Sequence, residues 1–596
     1  MLLPSYPEAI RGPDIPSLVA PYLDLKTLQT ASQVNKAWCK AMSRHIWADP
    51  MRTFASSPHP FYQAARFIEK SKDYATRVRE LVTTIDYQPL LARRHAPTLR
   101  KEFAHYELYI GFQWILQDCN LFNHLRFIVI DGMTRAGESN ESESPNTSSR
   151  TRILLLSAKH ISFNRIENVI NRAEFSDLMY LDLSYTCRPE ELKLPLSFNN
   201  LRILKLRGLR LTKVPRFVLD LGTQLWSLDL RDNLLQDNSI MLLLAKCFGE
   251  DYPTLSQDRD PLDEVHHLYD NPPVYHRIKE GSSTTTDFLP LRPDSTSSFI
   301  NYVADNGNLL RYSRADVLSF DDPMYIRSGL TQLYLSGNRL HSTIINTIFC
   351  SQNRLQVLDI GSVRLDSAQI PYKTIYATDK GCEKISPVSG SRLQELRIHH
   401  SAITQIPTIL RDSAPGYDPS SLKQAEEMYS PASWSRLSPL AHHRLKSLTL
   451  TDIPTKSYGP TIAQLTALLE ECAIQEQKLG AARASMPQNR RAPQVLSGLK
   501  SLRLEFLPAA PAPEMGSVSG DRDADGFLAK SLGDFSFFGG SGGAEWVEKK
   551  EEVKRKEKEV EVEEPKDVVE ALRVFRRAQK PAGWGGILEL VWPRGH

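Results

Sequence analysis

One phrase, LxxLxL, recurs between about residues 78 and 507 and limits what this chain can fold into more than any other feature. The clearest copies are LMYLDLSYT from Leu178, LRILKLRGLRL from Leu201, LWSLDLRDNLL from Leu225 and LTQLYLSGNRL from Leu330. Two more are LQVLDIGSVRL from Leu355 and LQELRIHHSAI from Leu393. Weaker copies begin at Leu125 (LRFIVIDGM), Thr151 (TRILLLSAKHI), Leu445 (LKSLTLTDI) and Leu499 (LKSLRLEFL), and VRELVTTI from Val78 is a candidate first copy. The steps from 151 to 178, 201 and 225 are 27, 23 and 24 residues, and the step from 330 to 355 is 25. Alternate leucines of a short strand point to one side, so strands stacked one beside the next bury a continuous apolar ladder. At 596 residues the chain is long for one compact core, and such an array takes up the length. Neither GxGxxG nor GxxxxGK(S/T) occurs, which argues against a nucleotide-binding α/β fold.

Phrase and period resemble those of leucine-rich repeats, whose units run to roughly 20–29 residues. The resemblance implies an α/β fold, an irregular leucine-rich-repeat solenoid (a horseshoe) over residues 75–507. The consensus asparagine after the strand stands only at Asn233 and Asn338; Thr186, Leu209, Val363 and Ser401 occupy it elsewhere, hence the expected irregularity. The 105 residues from Leu225 to Leu330 contain a polar, proline-rich stretch at 251–296 that reads as an unordered insertion. Shorter insertions are expected at 135–150, 371–391 and 412–440. The residue between the last two leucines of each copy points away from the core, which makes Asp182, Lys205, Asp229, Tyr334, Asp359 and Arg397 candidates for contact with a client, with Thr449 and Arg503 in the same position. Their mixed signs build no single field, and suit a protein better than a polyanion.

Ahead of the repeats, Ile15, Leu18, Val19, Tyr22 and Leu23 follow the stripe of an amphipathic helix. Asp14 stands where an N-cap would be and Pro16 where an early-turn proline would be, while Pro21 should kink or shorten the helix. Leu28, Ala31, Val34 and Trp38 suggest a second helix, and Ala41, Met42, Ile46 and Trp47 a third. Three helices this short have little core of their own, so their remaining apolar face needs a partner surface. Residues 10–50 resemble the F-box: the matching residues are Tyr22-Leu23, Leu28, Val34-Asn35-Lys36-Ala37-Trp38 and Ile46-Trp47, with Arg11-Gly12 where the family opens on Leu-Pro. In that family the motif docks on the Skp-type adaptor of a cullin–RING ubiquitin ligase. The resemblance therefore implies adaptor binding through Ile15, Leu18, Val19, Tyr22, Leu23, Leu28, Val34, Trp38, Ile46 and Trp47.

After Leu507 the phrase stops. Residues 508–544 are rich in Pro, Ala, Gly and Ser and read as a flexible linker. Residues 545–564 alternate acid and base as a solvated helix would. ALRVFRRAQK (571–580) reads as a short amphipathic helix and WGGILELVW (584–592) as a strand able to cap the last repeat's open edge.

Lys+Arg 73 against Asp+Glu 70 gives a net charge of +3, so bulk charge argues for neither nucleic acid nor an anionic membrane. No basic n-region with an apolar stretch behind it opens the chain, and no apolar run is long enough for a transmembrane helix. Seven scattered cysteines without a CxxC pair suit the cytoplasm or nucleus. The pairs His266-His267, His399-His400 and His442-His443 lack any zinc-site context, and adjacent strand residues face opposite ways, so neither metal nor cofactor is expected. No nucleophile elbow or kinase set is present. The combined resemblance, to F-box/leucine-rich-repeat proteins of fungal type, implies a non-catalytic substrate-recognition subunit of an SCF-type ubiquitin ligase. Its partners would be a Skp-type adaptor, through it a cullin, and a protein client. The alternative is an interaction scaffold independent of ubiquitin.

Overall fold

The computed structural model describes residues 14–70, 73–74, 76–106, 122–133, 151–161, 166, 170–186, 198–248, 291–305, 329–340, 344, 347–348, 355–361, 392–406, 419–427, 437–440, 442–485, 496–507, 564–579 and 583–592. The fold is mixed α/β, with a 12-stranded parallel sheet and 15 α-helices among the described residues. Its strands are β1 (Thr84–Asp86), β2 (Phe127–Val129), β3 (Leu155–Ser157), β4 (Tyr180–Asp182), β5 (Ile203–Lys205) and β6 (Ser227–Asp229). They continue as β7 (Gln332–Tyr334), β8 (Val357–Asp359), β9 (Glu395–His399), β10 (Ser447–Ile453), β12 (Ser501–Phe506) and β14 (Ile587–Val591). Each recurring phrase supplies one strand, and neighbours in sequence are neighbours in the sheet. The last strand comes from WGGILELVW and pairs in parallel with β12, as a cap on that edge. A separate antiparallel pair joins β11 (Lys456–Ser457) to β13 (Lys566–Asp567).

Register places the central leucines in one row: Leu156, Leu181, Leu204, Leu228, Leu333, Leu358, Leu396, Leu448 and Leu502 follow each other across the sheet, with Ile85 and Ile128 ahead of them. All are buried in one continuous core, with helices that include Arg216–Leu221, Asp237–Cys247 and Pro460–Ser485 packed on that face. Burial of each such side chain stabilises by about 1.5–3 kcal/mol.

The chain leaves each strand by a stereotyped turn. A left-handed residue recurs three positions after the outward-pointing strand residue, at Gly132, His160, Tyr185, Gly208, Asp232, Gly337 and Asp452. The two consensus asparagines close these turns from inside. Asn233 accepts from the N–H groups of Leu209 and Leu211 and donates to the carbonyls of Leu206, Leu230 and Arg231. Asn338 accepts from Leu235 N–H and donates to Leu230 and Leu335.

Several sequence boundaries shift. The insertion expected at 412–440 contains a helix, Pro419–Glu427, whose buried Glu426 accepts from Ser457 Oγ, Tyr458 N–H and Thr461 Oγ1. The 26-residue helix Pro460–Ser485 falls between two copies of the strand phrase, and its Leu465, Leu468, Leu469 and Cys472 recur at helical spacing and are buried. The expected amphipathic helix runs over Val568–Ala578, burying Val568, Val569 and Leu572. The insertions at 135–150 and 371–391, the linker 508–544 and the charged stretch to 563 lie outside the described residues, as do 251–290.

Candidate functional site

Three helices and one 3-10 turn form the N-terminal element: α1 (Ile15–Val19), a 3-10 turn (Ala20–Tyr22), α2 (Leu25–Ala31) and α3 (Lys36–Ala48). Pro21 ends regular α-helix at Val19, because a proline inside it would remove an N–H and clash with the preceding turn. The expected second segment divides: Leu28 lies on α2, while Trp38 belongs to the same helix as Ile46 and Trp47. The cause is Asn35, whose side chain accepts from Ala37 and Trp38 N–H and starts α3 afresh.

The ten residues implicated in adaptor binding divide by environment. Leu28 is buried with Ala20 and Met42, and Leu23, Trp38 and Ile46 pack on that small core. Val19 is half-buried. Trp47 faces the other way, into the main core, with its ring 6.5 Å from Phe67 and 6.4 Å from Tyr74. It joins the N-terminal element to the sheet. Ile15 and Leu18 are each 58% exposed, Tyr22 87% and Val34 65%. Ile15, Leu18 and Tyr22 recur at helical spacing, and Val34 stands in the turn between α2 and α3, so this is the apolar surface the helices leave in water.

The second candidate surface is the sheet face opposite the main core. Register aligns Asp182, Lys205, Asp229, Tyr334, Asp359, Arg397, Thr449 and Arg503 in one row across it, closed at the end by Glu589. The three aspartates are buried, and each accepts a backbone N–H two residues on, from Ser184, Arg231 and Gly361. They hold the chain in the turn that leaves the strand.

Their charge is compensated by cations at the rim. Lys159 Nζ lies 3.1 Å from Asp131 and 3.5 Å from Asp182; Arg231 lies 2.6 Å from Asp229 and 3.6 Å from Asp359. Arg397 bridges Asp359 at 3.0 Å and Glu505 at 2.7 Å, and Arg503 reaches Glu505 at 3.1 Å. Burial raises the Asp182 carboxyl above the ordinary range despite Lys159. For Arg397 burial opposes the charge, but Asp359 and Glu505 outweigh it and hold the guanidinium more firmly protonated. The charged groups with access to solvent along this face are therefore Lys159, Lys205, Arg231, Arg397 and Arg503, with Glu505 and Glu589 at its last strands, and not the three aspartates. Lys159 and Arg231 sit two residues beyond the row and escape a reading based on the strand phrase alone.

This face is not open across its width. Residues 291–305 lie on it, with a helix over Thr296–Asp305; the first six of them, 291–296, close the stretch read as an unordered insertion at 251–296. Phe299 and Val303 are fully buried against Phe127, Leu155, Tyr180, Ile203 and Trp226 in a cluster separate from the main core. Arg292 lies over the Trp226 ring, 5.0 Å from its centroid, and burial pushes its guanidinium down to about 10. Trp226 Nε1–H donates to the Pro293 carbonyl, Gln332 Nε2 to the Arg292 carbonyl, and the Tyr334 hydroxyl to Asp294.

His399 and His400 do not point apart: the strand ends at His399 and the two rings stack at 4.6 Å. Their Nδ1 atoms are hydrogen-bonded to the hydroxyls of Ser401 and Thr404. Among the described residues no three His, Cys, Asp or Glu side chains gather in a way that could hold a metal, and no helix is long and apolar enough to cross a membrane. No protein-family model matches the chain, and no curated protein matches it.

Proposed function

We propose that the chain is the substrate-recognition subunit of an SCF-type ubiquitin ligase, its N-terminal helices an F-box and its strand array an irregular leucine-rich-repeat horseshoe. The F-box holds a Skp-type adaptor, and through it a cullin; the array holds a protein client. The observation that carries this reading is the exposure of Ile15, Leu18, Tyr22 and Val34 on an N-terminal element whose Leu23, Leu28, Trp38, Met42 and Ile46 pack on one another and whose Trp47 packs on the main core. Covering them releases about 25 cal/mol per Å² of apolar surface, a driving force available only to a partner. The long parallel array supports the client role, since it offers a wide surface with side chains in fixed register. The chain then accelerates transfer by position: holding a client near a charged ubiquitin carrier raises its effective concentration without chemistry here.

The test is co-expression of the full chain with a Skp-type adaptor. Wild type should retain the adaptor through purification. Leu18→Asp and Val34→Asp, both at exposed positions, should keep the wild-type circular dichroism and lose at least tenfold in adaptor recovery. Equal retention by folded variants overturns the proposal. So does a wild type that retains none, which would leave a scaffold independent of ubiquitin.

A further inference from the structure

The segment over the second face has the attributes of a bound ligand that happens to be covalently attached. Four polar side chains from different places on the sheet converge on it: Tyr180, Trp226, Gln332 and Tyr334. Two of them donate to main-chain carbonyls of Arg292 and Pro293, which holds the main chain of the segment whatever its side chains. Two apolar anchors, Phe299 and Val303, are spaced i, i+4 on the helix that follows, and fill an apolar depression over β2 to β5. Arg292 stacks on Trp226 and Asp294 receives the Tyr334 hydroxyl, so the stretch ahead of the helix also makes contacts of both charge signs.

The sheet does not need this segment for its main core, because Phe299 and Val303 belong to the separate cluster. Its ten-residue helix is below the length at which an isolated helix is stable, roughly 12–15 residues, so the face holds it in shape. In sequence, residues 249–290 separate it from the helix Asp237–Cys247, and residues 306–328 separate it from the stretch that opens β7.

We infer that residues 291–305 occupy the client-binding face in cis, and that a client takes their place with a segment of the same chemistry: a short extended stretch leading into an amphipathic helix with an aromatic and an aliphatic anchor at i and i+4. The inference deepens the proposed function and rests on its reading of this face as the partner surface. It makes client binding a competition: the tethered segment is present at high effective concentration, so a client must bind better than it does or await its release.

The probe is a fluorescein-labelled synthetic peptide of residues 291–305, titrated by anisotropy with full-length protein and without any adaptor, so that loss of adaptor binding and failure of this inference are read separately. Two variants displace the tethered copy: the double substitution Phe299→Asp/Val303→Asp, and replacement of 291–305 by a Gly/Ser segment of equal length. Both should bind the peptide at least tenfold more tightly than wild type. Equal affinity for wild type and variants overturns the inference, as does a folded variant that binds no peptide or a variant that loses its sheet. Hydrogen exchange on the wild type gives an independent reading. Amides of 296–305 should exchange at least tenfold faster than those of β4 to β6; exchange in step with the strands would make the segment a permanent part of the fold and overturn the inference.

Discussion

Asn233→Ala is expected to be among the most damaging single substitutions in the array, although it removes no apolar contact. The asparagine is buried and satisfies five main-chain groups. Two of these have other partners: Leu230 O also accepts from Asn338, and Arg231 O from Gly208 N–H. The N–H groups of Leu209 and Leu211 and the carbonyl of Leu206 would be left in the interior, at about 1–3 kcal/mol each. Water entering the vacated volume offsets part of this, so a loss of about 3–5 kcal/mol is expected. Urea unfolding followed by circular dichroism measures the total, and hydrogen exchange locates it, with protection falling first over 203–211 and 227–235. Asn200→Ala is the control: its side chain makes one long contact of 3.4 Å to Asp177, and the change should stay within about 0.5 kcal/mol. A loss under about 1 kcal/mol for Asn233→Ala, with Leu209 and Leu211 still protected, would refute the reasoning that the asparagine closes the turn.

Gly208 sits at φ +68°, and a Cβ there would lie 2.3 Å from the Tyr185 ring; Gly208→Ala should therefore cost about 2–3 kcal/mol, and adding Tyr185→Ala should recover the part due to the clash, read from a double-mutant cycle by urea unfolding. Burial holds the His399 and His400 imidazoles below 6.5, so the unfolded chain takes up protons that the folded one refuses; stability is retained above pH 6.5 and should fall as pH drops below it. His400→Gln should flatten the fall in thermal midpoint from pH 7.5 to 5, and an unchanged slope would contradict this. Asp49 has the opposite sign: burial first, then Asp86, pushes it up to about 7 from 3.8, so the folded chain holds a proton that the unfolded one has released, and this group's contribution declines as pH rises through that window. The stability of Asp49→Asn relative to wild type should accordingly grow from pH 5 to pH 8 in paired melts.

The strand array was legible because its signal is local and repeated. Alternation of leucines over six residues fixes a strand and its buried side, and eleven phrases gave eleven strands in chain order. Even the terminal strand, Ile587–Val591, could be read from a run of apolar residues next to glycines. Helix divisions were less legible: Trp38 looked continuous with Val34 until Asn35 capped a new helix between them. Helix Pro460–Ser485 is less legible because its buried Leu465, Leu468, Leu469 and Cys472 lie outside the strand phrase, between two of its copies.

What the sequence alone determined, then, is which residues turn inward, since side-chain direction in a strand follows from its two-residue period. Only the tertiary structure decided what the outward ones do. Asp182, Asp229 and Asp359 face away from the main core as the phrase requires, yet they are buried by the turns and by Lys159, Arg231 and Arg397. Tyr334 and Trp226 likewise point outward and meet a segment that a polar, proline-rich composition had marked as unordered. Pairing between side chains that are far apart in sequence leaves no period to read, and the exposure of Tyr22 and the packing of Trp47 on the main core follow from the same rule: the spacing of residues gives a side, and only packing says whether that side is covered.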